Sequence, residues 1–513
     1  MDNLPKDQKD NSGEIFTSGG ESGYQEAVAP PQEENPYAET QPPEEQPADT
    51  LPPVSGPPPP FVEDNRKKYF VFAIFAVIIL AIIFLVAKII FKPKPPVVSE
   101  KVTLSYWGLW EDKEVFQPII DEYKKNHPNV DINYVSQNKT QYRERLDAAL
   151  KKGDEPDLFR FHNTWRPMLI NYLSAVPKDI YSNEEFEKTF YPVVKIDLKS
   201  GDNYYGIPLM IDGLLLFYNE DMLKGSNITV PKTWVDVQKA VQPTKLTVKE
   251  KGKVITAGIA LGTAENIEHF SDILGLMMLQ NGTKLSESFL KCNDSSTNTC
   301  AIEALSFYHK FAESPDNTWD ETLDNSILAF SAGRVAMIFA PSWQAFTINT
   351  ISPNLNFKTA PVPQLPCEKE PCQRVDWATY WVEGVSNKSK YQKEAWEFLK
   401  YLSQAETMKK LYTLQATARK LFGEPYSRVD LAKTLSDNPY LAPIMEEAPN
   451  MKSFYSTSRT ADGDSGLNSR INKYLKDAIN SLAKGTSPET ALQTAENGLK
   501  ETYSFYKIGA TAQ

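Results

Sequence analysis

Residues 69–91, YFVFAIFAVIILAIIFLVAKIIF, constrain the chain most, because they are apolar on every side over a length that could cross a membrane. The first charge in this run is Lys88. About 20 apolar residues in a helix cross a hydrocarbon core of ~30 Å. A buried soluble helix would keep a polar face, and a cleaved signal peptide would have a shorter apolar core followed by a small-residue cleavage site. The run therefore predicts one transmembrane signal-anchor helix over residues 66–92.

The basic residues that flank this helix do not set its orientation. Three, at 66–68, precede the uncharged run 69–87, and three, Lys88, Lys92 and Lys94, follow it. Because the positive-inside rule depends on an asymmetry between the two flanks, an equal count decides nothing.

The cysteines indicate which side holds the larger part. Cys292 and Cys300 enclose the polar loop NDSSTNT, and Cys367 and Cys372 enclose EKEP. Two close pairs favour two local disulfides, which persist in oxidising compartments. Four ordinary thiols are the alternative, and a zinc site is disfavoured because the spacing is not CxxC and no histidine is near. We expect a single-pass protein of the cell membrane, with the N-terminus in the cytoplasm and the binding domain outside.

Residues 1–65 have the composition of a disordered cytoplasmic tail. They contain 13 of the 37 prolines, 14 acidic residues and only two lysines. Such a segment buries too little apolar surface to offset its chain entropy. The rest of the chain has 53 Lys and Arg against 52 Asp and Glu, so no bulk charge favours nucleic acid. Residues 93–99 are predicted to form a short, proline-stiffened linker.

Beyond the linker, strand and helix patterns alternate. Strands are predicted at Val102–Tyr106, Val130–Val135 and Asp157–Phe161, and amphipathic helices at Glu114–Asn126 and Gln141–Lys152. This order predicts an α/β fold with parallel strands and helices on both faces. Ligands in such folds bind beyond the carboxyl ends of the strands, so the loops after strands are the candidate site.

Aromatic residues concentrate in those loops. Six of the nine tryptophans fall in four strand-end stretches, where carboxylates and amides stand among them. A buried tryptophan in the core is the alternative for each one. As a set, flat apolar rings with a few polar groups suit the apolar face and polar edge of a pyranose ring. The candidate ligand residues from these stretches are Trp107, Trp110, Glu111, Asp112, Phe161, Asn163, Trp165, Trp343, Trp377, Tyr380 and Trp381.

Five segments, in the same order, resemble a known family. The segment 204–237 contains Tyr218-Asn219 and a Pro-Lys-Thr-Trp turn at 231–234. It resembles the central signature of the maltose-binding-protein-like family of extracellular solute-binding proteins, the substrate-binding components of ABC importers. Four further stretches resemble that family: 151–161, 330–346, 391–412 and 485–499.

The resemblance implies a two-lobed periplasmic-binding-protein fold of type II, which closes on its ligand as a flytrap does. Chain crossovers are then expected near 208–212, 361–363 and 416–422. The implied lobes are 100–208 plus 363–416, and 213–360 plus 423–505. The permease subunits of an importer are the implied protein partners.

Family ligand contacts carry over to matching positions only. They fall on Glu111 and Asp112 after the first strand, on Phe161 and Asn163 after the third, on Asp212, and on Trp343. Asp212 could instead be a buried, hydrogen-bonded structural carboxylate. A late aromatic platform of maltose-binding protein falls near Asn468, which is not aromatic, and Tyr455 is a possible substitute.

Catalytic motifs are missing from the sequence. It contains no HExxH, no Gly-rich phosphate loop and no G-x-S-x-G, and its four histidines are scattered. We therefore expect no enzyme activity, metal or cofactor. The sequence favours capture of a sugar or oligosaccharide, with a binding module for another solute, such as a polyamine, or a membrane-tethered receptor as alternatives.

Overall fold

The computed structural model describes residues 66–90, 101–153, 156–242, 245–367, 369 and 372–508. The chain forms two compact units, divided between Pro96 and Val97. The predicted tail (1–65) and the predicted linker (93–99) lie outside the described residues.

In the first unit, helix α1 (Arg66–Ile90) covers the apolar run. No glycine or proline interrupts it, and its described side chains from Phe70 to Val86 are all exposed. Within the described part of the chain, no helix combines the length and the hydropathy that a membrane crossing requires. The transmembrane anchor therefore stays a prediction.

The second unit contains the remaining described helices. In chain order they are α2 Lys113–Asn126, α3 Tyr142–Lys152, α4 Arg166–Leu169, α5 Asn183–Thr189, α6 Pro192–Leu198, α7 Glu220–Gly225, α8 Trp234–Ala240, α9 Phe270–Gln280, α10 Cys300–His309, α11 Ser326–Ser331, α12 Gln344–Ile351, α13 Gln392–Leu402, α14 Ala405–Arg419, α15 Ala442–Glu447, α16 Leu467–Leu482 and α17 Pro488–Phe505.

The described strands also belong to the second unit. They are β1 Val102–Leu109, β2 Val130–Gln137, β3 Leu158–His162, β4 Lys199–Ser200, β5 Asn203–Tyr204, β6 Ile207–Pro208, β7 Leu214–Asn219, β8 Val248–Glu250, β9 Lys253–Ile259, β10 Val335–Pro341, β11 Phe357–Ala360, β12 Asp376–Trp377, β13 Trp381–Val385 and β14 Met451–Lys452.

Local sequence accounts for several of these elements. The buried residues of α2 are Phe116, Ile119, Ile120 and Tyr123, at the spacing of one helical face. The Pro-Lys-Thr-Trp turn starts α8 through a reciprocal capping box between Thr233 and Asp236. The helix α2 forms within one residue of the predicted range Glu114–Asn126.

Two five-stranded sheets organise the second unit. The first has the order β2-β1-β3-β13-β6, and the second has the order β11-β7-β10-β9-β8. The strands β1, β2 and β3 are parallel, as predicted. Both sheets are nevertheless mixed, because β13 runs antiparallel to β3 and β7 runs antiparallel to β10. The predicted parallel arrangement therefore holds for β1, β2 and β3 and does not extend to β13 or to the pairing of β7 with β10.

The chain passes from one sheet to the other more than once. It leaves the first sheet after β6, enters the second at β7, and returns to the first at β13. A returning segment enters the first sheet at the edge where β3 ends, so β13 must run in the opposite direction to β3. The exact lobe boundaries given above stay a prediction.

Both disulfides form as predicted. Cys292 pairs with Cys300 and Cys367 pairs with Cys372, with Cα–Cα distances of 5.9 and 5.7 Å. The two bonds account for all four cysteines of the sequence.

Candidate functional site

One edge of the first sheet brings several predicted aromatic residues together. The parallel strands β1 and β3 end there at Leu109 and His162. The antiparallel strand β13 begins there, since Trp381 is the register partner of His162. Residues that follow β1 and β3 therefore meet residues at the start of β13.

Three tryptophans form an edge-to-face row at this edge, which we call the tryptophan row: Trp110, Trp381 and Trp165. The ring centroids of Trp110 and Trp381 are 4.8 Å apart, and those of Trp381 and Trp165 are 5.1 Å apart. Trp110 is 44% exposed, Trp381 is half-buried and Trp165 is buried. A ligand can therefore reach Trp110 and part of Trp381, whereas Trp165 is packed inside as the support.

Five charged side chains lie beneath Trp110 and form what we call the charge cluster: Glu111, Arg160, Glu383, Arg419 and Glu424. Arg160 is 1% exposed and donates to Glu383 at 2.6 Å and to Glu111 at 2.9 Å. Arg419 donates to Glu111 at 2.5 Å and to Glu424 at 3.2 Å. Two cations thus hold three carboxylates in the interior.

Burial and the neighbouring carboxylate of Glu424 raise the pKa of Glu111 to about 8. Burial also acts to raise the pKa of Glu424, but Arg160 and Arg419 lower it to about 2. The pair therefore keeps one proton near neutral pH. Burial also raises the pKa of Glu383, against the opposing effect of Arg160. The side-chain amide of Gln415 also donates a hydrogen bond to the Glu111 carboxyl group, at 3.0 Å. Glu111, predicted as a ligand contact, has both carboxyl oxygens engaged by protein donors.

Three other predicted residues of this edge are also buried. Phe161 lies in the core. Asn163 donates to Asp197 at 2.9 Å, and the Tyr380 hydroxyl donates to the same carboxylate at 2.7 Å. Burial raises the pKa of Asp197. These polar side chains satisfy one another, which is what a buried network requires.

The remaining two predicted residues of the first edge differ in exposure. Trp107 lies within β1, is half-buried and packs against the core. Asp112 is exposed and immediately precedes α2 without a side-chain capping bond. Neither belongs to the tryptophan row.

Asp212 occupies the first crossing between the sheets. Its carboxylate accepts from the backbone N–H groups of Gly213 at 2.8 Å and Ser342 at 3.1 Å, and from the Ser342 hydroxyl at 2.9 Å. Burial raises its pKa to about 7 despite these bonds. A Cβ at Gly213 would overlap the carbonyl oxygen of Trp377, so this close approach of two backbones needs glycine. This geometry fits the alternative of a structural carboxylate.

A second exposed tryptophan, Trp343, follows β10 and precedes α12. It is 45% exposed, and its ring centroid lies 6.2 Å from that of His269 in an edge-to-face arrangement. Asp272 is a second neighbour of His269, with its carboxylate 3.1 Å from the imidazole Nδ1. We call His269, Asp272 and Trp343 the His269 cluster.

Asp272 is fixed by two further donors, the indole N–H of Trp377 at 3.1 Å and the backbone N–H of Arg459 at 3.0 Å. Trp377 is fully buried, which places this predicted ligand residue inside the protein. A carboxylate at Nδ1 favours the tautomer with its proton on Nδ1, leaving Nε2 as an acceptor. His269 Nε2 is buried and has no hydrogen-bond partner among the described residues.

The sequence interpretation missed His269. The only local signal was the i, i+3 spacing of His269 and Asp272 at the start of α9, which many surface helices share. The side chains of Trp343 and Trp377 that complete the surroundings come from residues 70 or more positions later in the chain.

Asn468, where the sequence lacks the family's late aromatic platform, is surrounded by hydrogen bonds. Asn468 is buried, accepts from the hydroxyls of Thr164 at 3.1 Å and Thr460 at 3.2 Å, and donates to the backbone of Tyr455 at 2.7 Å. Tyr455 is half-buried and packs on Phe454. Among the described residues, no group of three His, Cys, Asp or Glu side chains is arranged to hold a metal ion.

The sequence profile of bacterial extracellular solute-binding proteins matches residues 107–409. The maltodextrin-binding protein MdxE of Bacillus subtilis is 31% identical over 173 residues, which is 32% of this chain and 38% of that protein. The match to the maltotriose-binding protein of Pyrococcus abyssi spans only 30% of that protein. The chain therefore matches well under half of the length of each of these two relatives.

Solved structures share the fold over most of the chain. A cyclo/maltodextrin-binding protein complexed with maltotetraose superposes with a TM-score of 0.60 at 17% identity, covering 80% of this chain and 99% of that chain. The sugar-binding protein MalE from Xanthomonas citri superposes with a TM-score of 0.61 at 18% identity, covering 80% and 100%. The described fold is therefore the mixed α/β, two-lobed fold of solute-binding proteins.

Proposed function

The chain belongs to the family of bacterial extracellular solute-binding proteins, and we propose that it captures a sugar or oligosaccharide outside the cytoplasm and delivers it to an ABC-type importer. The observation that carries the proposal is the pair of exposed strand-end tryptophans, Trp110 and Trp343. An indole face stacks on the C–H face of a pyranose, and nearby polar atoms can bind its hydroxyls. The names of the matched relatives, which refer to maltodextrin and maltotriose, support this ligand class.

The protein atom that we propose for a hydrogen bond with a sugar hydroxyl is in the His269 cluster. His269 Nε2 is buried and unpartnered among the described residues, and it lies beside the exposed ring of Trp343. A buried acceptor without a donor costs free energy, which a ligand hydroxyl would recover. We place Trp343 and His269 at the centre of the proposed site, with Trp110 and Trp381 as a second stacking surface.

Closure of the two lobes is the proposed mechanism of capture. In this proposal the lobes are 100–208 plus 363–416 and 213–360 plus 423–505, joined by three crossing segments. The ligand shifts the equilibrium towards the closed form only by the difference between its affinities for the two forms. The permease subunits would then recognise the closed form.

A single-pass anchor is part of the proposal. It rests on the apolar sequence of α1 and on the exposure of its described side chains. An anchored receptor stays near its importer, so effective concentration replaces free diffusion. Fractionation tests this part: the full chain should stay in the membrane pellet after alkaline carbonate extraction, and a chain lacking 66–92 should not.

Ligand-dependent thermal unfolding of the full chain tests the binding function. The protein is kept in a detergent without a sugar headgroup, because a maltoside could occupy the site. Maltotetraose, mannobiose and spermidine are added separately. Binding to the native state alone raises stability by about 2.7 kcal/mol at a hundredfold excess over Kd. A shift with a sugar supports the proposal, a shift with spermidine alone favours a polyamine receptor, and no shift with any of them contradicts the proposal.

A further inference from the structure

We propose that Glu424 and Arg419 are positioning residues that hold the ring of Trp110 in place for the ligand and connect it to α12, the helix that follows Trp343. This inference rests on the proposed function, because it assumes that Trp110 and Trp343 contact the ligand. It concerns residues that do not themselves touch a sugar.

The backbone of Trp110 has an uncommon conformation. Its φ angle is +53°, in the left-handed region that non-glycine residues seldom adopt. Such a conformation persists where surrounding contacts fix it, and it is often found where a side chain must point in one direction. At Trp110 the conformation aims a large ring outwards, 44% exposed, directly after a buried strand.

Glu424 fixes the polar edge of that ring. The indole N–H of Trp110 donates to Glu424 Oε1 at 3.0 Å, and the guanidinium of Arg160 lies 5.8 Å from the ring centre. The other side of the ring packs against Trp381. A hydrogen bond to a buried carboxylate is directional, so Glu424 sets the ring orientation that packing alone would leave free to rotate.

Glu424 lies in the segment that follows α14 and is itself held by two side chains of α14. Its backbone N–H donates to Gln415 Oε1 at 3.0 Å, and its carboxylate accepts from Arg419 at 3.2 Å. Two residues later, Tyr426 pairs with Met210, which belongs to the first crossing between the sheets. The carboxylate that orients Trp110 is therefore attached to a crossing segment rather than to the first sheet.

Arg419 extends the connection to the second sheet. Its guanidinium lies 5.7 Å from the ring centre of Phe346 in α12, and Phe422 packs on the same ring at 4.4 Å. The backbone N–H of Phe346 donates to the carbonyl of Trp343 at 3.1 Å. Arg419 thus contacts both Glu424, which accepts from the indole of Trp110, and Phe346, in the first turn of the helix that follows Trp343.

The first test measures ring position without any ligand. The contribution of Trp110 to fluorescence is isolated by subtracting the signal of the matched Trp110→Phe variant in each background. Acrylamide is the quencher, because it is neutral and insensitive to the changed charge. Glu424→Ala should raise the quenching constant of Trp110 about twofold through loss of one hydrogen bond. Glu424→Gln keeps an acceptor oxygen and should leave it near the wild-type value.

Arg419→Ala extends this test to the second tryptophan. It should raise quencher access to Trp110 and also to Trp343, which is isolated in the same way with Trp343→Phe. Glu424→Ala should change Trp110 alone. Equal quenching of Trp110 in Glu424→Ala and Glu424→Gln, or no change at Trp343 in Arg419→Ala, would overturn the proposal.

The second test is a double-mutant cycle on maltotetraose affinity. Glu424→Ala and Trp110→Phe should each weaken binding about fivefold, and the double variant should be no weaker than either, because both changes remove the same hydrogen bond. Independent, multiplying effects would contradict the positioning role. If the wild-type protein binds no sugar, the proposed function fails, whereas the quenching test still decides whether Glu424 positions Trp110.

Discussion

The two exposed tryptophans differ in how their surroundings use polar groups. Trp110 stands on the charge cluster, where Arg160 and Arg419 engage all three carboxylates. Trp343 stands beside His269, whose Nε2 has no partner among the described residues. A network of buried ion pairs makes a rigid support, although Glu383 Oε2 within it has no hydrogen-bond partner among the described residues. An unpartnered acceptor beside an exposed ring is available to a ligand. In the proposed site, the comparison assigns Trp110 the role of a platform for the sugar and the His269 cluster the role of binding its hydroxyls.

The charge cluster should dominate stability. Arg160→Met removes the cation that two buried carboxylates share, and an unpaired buried charge costs about 3–5 kcal/mol of unfolding free energy. Arg459→Met is the matched change near the His269 cluster. It breaks an ion pair with Glu268, 2.6 Å long, in which both side chains are partly exposed, at a cost of about 0–1 kcal/mol. Urea unfolding followed by circular dichroism measures both variants. Equal midpoints for the two variants would show that the charge cluster is not the more rigid support.

The contrast also shows which parts of the fold and of the site can be predicted from the sequence. The first strands, the helix α2 and both disulfides follow from local periodicity and spacing, and the structure confirms them. Local patterns do not reveal whether a strand-end tryptophan is exposed. The sequence predicts both Trp343 and Trp377 as ligand contacts, but one is 45% exposed and the other is fully buried.

Charged residues show the same limit. Glu111 looks like a ligand contact in the sequence because it follows a strand beside an aromatic residue. Its partners Arg160, Arg419 and Glu424 lie 49 to 313 positions further along the chain, so only the fold shows that it is paired. His269 could not be predicted for the same reason, because its role as an acceptor depends on the ring of Trp343, which follows β10.

Truncation of Trp343 should give the largest loss of affinity. Trp343→Ala removes a half-exposed ring without opening the core, and a stacking tryptophan at the centre of a binding site contributes about 2 kcal/mol, which is roughly a thirtyfold change in Kd. Titration calorimetry with maltotetraose measures it. Phe505→Ala removes another exposed ring, on α17, and should leave Kd unchanged. A loss of affinity shared by both variants would remove Trp343 from the site.

The stability of the protein should depend on pH through Asp212, which lies at the first crossing between the two sheets. Its pKa is raised in the folded protein to about 7 by burial, so folding favours the protonated form. That stabilisation is fully present below the unfolded pKa of about 4 and is lost as pH rises through the folded value. Between pH 6 and 8 the wild type should lose about 1.4 kcal/mol relative to Asp212→Asn, which stays neutral.

Parallel urea titrations at the two pH values measure this difference. Asp464→Asn, at an exposed aspartate, is the control and should follow the wild type. If Asp212→Asn also follows the wild type, Asp212 is ionised throughout and the crossing holds a charged carboxylate.

The smallest predicted effect separates the two tryptophan surroundings most directly. Asparagine at position 269 can keep a hydrogen bond to Asp272 in place of Nδ1 but lacks an atom at Nε2, whereas glutamine reaches the Nε2 position. His269→Asn should therefore weaken maltotetraose binding about fivefold, through loss of one hydrogen bond of ~1 kcal/mol, without lowering the urea midpoint. His269→Gln should recover part of that affinity. Equal affinities for the two variants would mean that Nε2 does not meet the ligand, and that the His269 cluster is a support of the same kind as the charge cluster.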